Sequence, residues 1–72
     1  MLGRPKDAQK RELILSAAER AFFAQGFSAA TIERIAADAG VSKVTVYGHF
    51  GDKETLFEAV VTREAAQIKA AF

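Results

Sequence analysis

The side chains best suited to chemistry crowd into one window: Lys43, Val44, Thr45, Tyr47, His49 and Lys53. Two ammonium groups, a hydroxyl, a phenol and an imidazole are all hydrogen-bond donors. Only Val44 is apolar. Such a set suits the grip of an acceptor-rich partner better than the making of bonds. The sequence holds one histidine and no cysteine. A thiolate metal site and a disulfide are therefore excluded, and His49 has no co-ligands at metal-binding spacing. No seryl triad, P-loop or dinucleotide-binding glycine pattern occurs. Asp52 and Glu54 read as a helix cap and a helix start, not as paired catalytic acids. No enzymatic activity, cofactor or metal is expected.

Those side chains need a rigid support, and residues 31–50 provide the pattern for one. Ile32, Ile35, Ala36 and Ala39 recur at the spacing of one helical face. Thr31 precedes that run and can cap it, while Glu33 places negative charge where the helix dipole favours it. Gly40 follows the last periodic residue, where helices commonly end in a left-handed glycine. Val41 turns back to the core, and Ser42 can cap a second short helix. Val46 and Phe50 then face inward together. Lys43, Val44, Thr45 and Tyr47 are left facing outward or sideways, and the small Ala36 lets the two helices cross closely. This is the pattern of a helix-turn-helix, whose second helix lies in the major groove of DNA with its N-terminal residues at the bases. Lys43 can donate to guanine O6 or N7, and Val44 can touch a thymine methyl. The competing expectations are a solvated surface lysine and ordinary core packing of the valine.

The longer string AGVSKVTVYGHFGDKETLF resembles the DNA-binding domain of the tetracycline-repressor (TetR) family. From Thr31 to Leu56 the family signature is met nearly position for position, and ILSAAERAFFAQGF is similar to the family's first helix. The resemblance implies that Thr45, Tyr47, His49 and Lys53 bind backbone phosphate. Thr31 and Ser42 can add phosphate contacts, although capping alone would explain both. Tyr47 can instead pack against the last helix, and His49 can be a satisfied, half-buried histidine. Gly48 departs from the family, in which many members carry a larger side chain there. Glycine weakens a helix by about 1 kcal/mol relative to alanine, so the recognition helix is expected to end near Tyr47.

Around this motif the remaining 72-residue sequence reads as one small domain. Residues 1–6 form a flexible basic arm in which Arg4 and Lys6 bracket Pro5 and can follow a phosphate backbone or a narrow minor groove. The formal net charge is only +1, but Arg4, Lys6, Lys10 and Arg11 open the chain against Asp7 alone. A basic start can orient a small domain on a polyanion. The first helix is expected from near Asp7, a cap candidate, to Gln25. Its apolar face is Ile14, Ala17, Ala18, Ala21 and Phe22, widened by Leu13, Leu15 and Phe23. Lys10, Arg11, Glu12, Glu19 and Arg20 are solvent candidates. Gly26 ends this helix, and Phe27 folds back over the core. The last helix begins at Lys53 with Asp52 as its cap, and Leu56, Phe57, Val60 and Val61 form its inner face.

The expected fold is all-α: a three-helix, homeodomain-like head over residues 7–53 with its motif at about 31–50, and a fourth helix over 54–72. Resemblance to the family implies a cytoplasmic bacterial regulator, usually a repressor, that binds palindromic operators as a dimer. A small effector would act through a ligand-binding and dimerisation domain that this sequence lacks, and dimerisation of the fragment alone would be weak or absent. No apolar run approaches a membrane span. Two alternatives stand beside this reading. One is a protein-interaction module using Ile68 and Phe72 on the last helix. The other is a lactose-repressor-type head, against which the long first helix and Tyr-x-His-Phe-x-x-Lys argue.

Overall fold

A computed structural model describes the backbone of residues 6–71 and the side chains of residues 7–66. The order is α1 (Lys6–Gln25), α2 (Ile32–Ala39), α3 (Lys43–Phe50) and α4 (Lys53–Ala71). Among the described residues there is no strand. Helix α1 is the platform against which α2 and α4 pack, and α3 rests on both of those.

The core joins one face of each helix. Ile14, Leu15, Ala17, Ala18 and Phe22 of α1 meet Ile32, Ile35 and Ala36 of α2, Val46 and Phe50 of α3, and Leu56 and Val60 of α4, all buried. Alanine on α1 and α2 lets the backbones approach closely. An aromatic cluster closes one end. Phe57 stands edge-on to Phe22 and Phe27, at centroid separations of 5.1 and 5.2 Å, a favoured arrangement for the ring quadrupoles. Phe27 thus folds back after Gly26, as its position after a helix stop implies.

Several expectations need correction. Leu13 and Phe23 do not widen the buried arc of α1 but are exposed, and so is Val61 on α4. Two short helices and one long one cover less of α1 than its apolar arc would allow. Glu19 is not a solvent residue. It is half-buried and accepts from Arg63 Nη2 at 3.0 Å, while Arg63 Nη1 reaches Glu12 at 3.2 Å. Glu12 and Glu19 stand two turns apart on α1, so one guanidinium spans them and ties α4 to α1. Helix α1 starts at Lys6, one residue before the expected boundary, which puts Asp7 in its first turn and not at its cap. Arg4 and Phe72, and the side chains of Lys6 and Ile68, lie outside the described residues.

Helix α3 also runs past the expected stop at Tyr47 and continues through Gly48 to Phe50. Burial of Phe50 against the core, with Arg11 of α1 held 5.1 Å from the centre of its ring, outweighs the poor helix propensity of one glycine. Gly40 and Gly48 therefore behave oppositely. A Cβ at either would meet nothing within 4 Å, but only Gly40 has a left-handed backbone, with φ 76°. Gly40→Ala should lower stability in denaturant melts by about 1–2 kcal/mol from backbone strain alone. Gly48→Ala should raise it by about 0.5–1 kcal/mol. Equal shifts at the two positions would contradict this account of the corner and of α3.

Candidate nucleic-acid interface

The geometry begins with the corner between α2 and α3. Thr31 has extended backbone angles, and its Oγ1 accepts from the Arg34 amide at 3.1 Å, which starts α2. At the other end the Gly40 amide donates to Ala37 O and the Val41 amide to Ala36 O, at 3.2 and 3.0 Å. This paired closure uses up carbonyls that the helix end would leave open. Val41 then packs against the core. One residue later Ser42 Oγ accepts from the Thr45 amide at 3.0 Å and starts α3. The turn is therefore a stop and a start with one apolar anchor between them.

Helix α3 divides cleanly. Val46 and Phe50 are buried, while Lys43, Val44 and Tyr47 are exposed on the opposite side. Val44 is 78% exposed, which removes core packing as its explanation. Thr45 and His49 are half-buried at the flank facing α1. There, with Gly48, they line an open polar notch shared with Asp7 and Lys10. His49 lies beside Phe50, with ring centroids 6.2 Å apart.

The polar side chains are held by local bonds that leave donors over. Ser42 Oγ and Thr45 Oγ1 are 2.9 Å apart. Two hydroxyls sharing one hydrogen bond keep one O–H to give elsewhere. Thr31 uses its oxygen as an acceptor in capping, and its O–H can still donate outward. Lys53, at the start of α4, lays its chain over Phe27 with Nζ 4.4 Å from the ring centre. Its ammonium also donates to Ser28 O at 3.4 Å, which occupies one of three N–H groups. Asp52 caps α4 by accepting from the Thr55 amide at 2.8 Å. Hydrogen bonds from Thr55, side chain first and then backbone, hold its carboxyl below the usual carboxylate range.

Lys43 is the exception to purely local bonding. Its Nζ donates to Glu33 Oε2 of α2 at 3.0 Å across the corner. The side-chain hydrogen bond is the main reason that Glu33 sits below, and Lys43 above, their ordinary pKa values. No spacing in the sequence announces this ion pair, the Arg63 fork or the placement of Lys10 beside α3. Each depends on where helices cross. Among the described residues no cluster of three or more metal-ligating side chains occurs, and no helix is long and apolar enough to cross a membrane.

The structure thus brings Lys43, Val44 and Tyr47 to one exposed helix face, flanks them with Thr45 and His49, and sets Thr31, Ser42 and Lys53 at three helix starts. Comparison with known proteins agrees with this architecture. The family profile described as "Bacterial regulatory proteins, tetR family" matches residues 14–60. The HTH-type transcriptional repressor AcnR of Corynebacterium glutamicum is 38% identical over 63 residues, covering 88% of this chain and 34% of AcnR. The HTH-type transcriptional repressor BepR of Brucella suis is 41% identical over 56 residues, covering 78% of this chain and 27% of BepR. The crystal structure of a protein described as a TetR-family transcriptional regulator of Mesorhizobium loti superposes with a TM-score of 0.91 at 44% identity, over 94% of this chain and 34% of that one. The chain spans about a third of the length of these relatives. With four helices in this arrangement and a profile match across most of its length, the chain belongs to the TetR family of bacterial regulatory proteins.

Proposed function

We propose that this chain is the DNA-binding head of a transcriptional regulator, with α3 as the helix that enters the major groove. The observation that carries the reading is the outer face of α3. A nearly bare valine stands there between a lysine and a tyrosine, on a helix whose inner face is committed to the core. An apolar side chain held out in water gains nothing in the free protein. Beside a thymine methyl it gains a dry contact, and Lys43 beside it can donate to guanine. Thr31, Ser42, Thr45, Tyr47, His49 and Lys53 surround this face as phosphate donors, and the helix starts at Ser42 and Asp52 add amides and favourable dipoles. Arg4, ahead of α1, extends the grip as an arm along the duplex, with Lys6 behind it at the helix start. Phosphate contacts of this kind fix the register, and the base contacts read sequence.

The rest of the reading follows relatives named as repressors. The regulator acts in the cytoplasm of a bacterium, carries no catalytic role and needs no cofactor. The residues before α1 serve as the arm, α1 to α3 as the reading head, and α4 as the link to a dimerising, effector-binding part. Two heads then sit in successive major grooves of a palindrome, roughly 34 Å apart. A small molecule that alters this spacing would release the operator.

Two substitutions test the head itself. Lys53→Met keeps the aliphatic stem over Phe27 and removes the charge. It should weaken binding to every duplex alike and lower the slope of log K against log salt by about 0.9. An unchanged slope in fluorescence-anisotropy titrations would remove Lys53 from the phosphate contacts. Lys43→Ala should instead alter which duplexes are preferred, costing roughly five- to hundred-fold in discrimination at one base pair. Equal loss on all sequences in a selection from random duplexes would make Lys43 a positioning contact only.

A further inference from the structure

We propose that Glu33 sets the sequence discrimination of this head by holding Lys43, so that the lysine is offered to a base edge and withheld from passing phosphates. The inference rests on the reading of Lys43 as a base contact. Its own basis is the placement of a carboxylate inside the face that DNA must approach. Glu33 Oε2 lies 3.0 Å from Lys43 Nζ, and both side chains are more than half exposed. Any surface that touches Lys43 therefore touches Glu33 as well.

A carboxylate at that place is unfavourable for generic DNA binding, because it repels phosphate and neutralises the neighbouring lysine. In a loosely docked, non-cognate complex the pair contributes almost no net charge, so it releases almost no counterion. In a cognate complex the geometry differs. The ammonium has three N–H groups. One stays on Glu33 while another reaches guanine O6 or N7, so Lys43 need not give up its partner to read the base. The long lysine chain is also already ordered before DNA arrives, which reduces the entropy lost on binding. Glu33 is thus a positioning residue that acts through Lys43. The other charges on α2, Arg34 and Asp38, are paired with each other at 3.3 Å and do not compete for it.

The test compares Glu33→Gln with the unsubstituted chain on two duplexes: the one that selection from a random pool returns, and a scrambled one. Circular dichroism melts establish that both proteins are folded. On the scrambled duplex Glu33→Gln should bind several-fold more tightly, with a salt slope steeper by about 0.9 as Lys43 becomes free to meet a phosphate. On the selected duplex the gain should be smaller, so the ratio of the two affinities falls. In a Lys43→Ala background the same substitution should change that ratio little.

An unchanged ratio in Glu33→Gln, while the unsubstituted chain still discriminates, would overturn the role of Glu33 alone. So would an equal change of ratio in the Lys43→Ala background, because Glu33 would then act directly on DNA. If the unsubstituted chain shows no preference between the duplexes, the reading of α3 fails and this inference fails with it.

Discussion

An eight-residue helix does not hold itself together in water, because nucleation costs more than so few hydrogen bonds return. Helix α3 is eight residues long, and the function proposed for it needs one side left empty of protein contacts. Its stability must therefore come from its ends and from its inner face. Ser42 closes the N-terminus, and the Gly51 amide donates to Tyr47 O at 2.8 Å near the C-terminus. Val46 and Phe50 supply the buried anchors. Their burial against α1, α2 and α4 is the interaction on which the outward display of Lys43, Val44 and Tyr47 depends.

The rest of the fold serves that burial. The left-handed Gly40 ends α2 within one residue, so α3 begins before the chain has moved off its support. Small residues at Ala17, Ala18 and Ala36 bring α1 and α2 close enough to form a floor under Val46. The aromatic cluster of Phe22, Phe27 and Phe57 seals the end at which α4 begins, and Lys53 lies across it. The Arg63 fork then fastens α4 to α1 beyond Val60, the last buried apolar residue described on α4.

Much of this was legible in the sequence because it is local. Thr31, Ser42, Asp52 and Gly40 announce helix ends through chemistry that acts over three or four residues, and all four occupy those positions. The four-helix order and the inward pair Val46 and Phe50 follow from spacing alone. The sequence pattern misleads where distant parts decide. Gly48 suggested an early stop, but the burial of Phe50 carries α3 through it. The wide apolar arc of α1 could not reveal that Leu13 and Phe23 have no covering helix among the described residues. Nor could spacing show that Glu19 meets Arg63, 44 residues away in sequence, or that Lys43 meets Glu33 across the corner. Both are products of helix crossing. Spacing alone leaves Val44 open to core or surface, and its exposure in the fold decides for the surface.

The proposed function stands or falls on whether the outer face of α3 is the surface that meets DNA. The most direct measurement is an amide chemical-shift titration of the isotope-labelled chain with a short duplex at low salt. The largest changes should fall on residues 42–49, with further changes at Thr31 and at the start of α4, while the outer side of α1 around Leu13 and Phe23 stays still. A duplex that left α3 undisturbed and shifted Leu13, Phe23 and Val61 instead would contradict it.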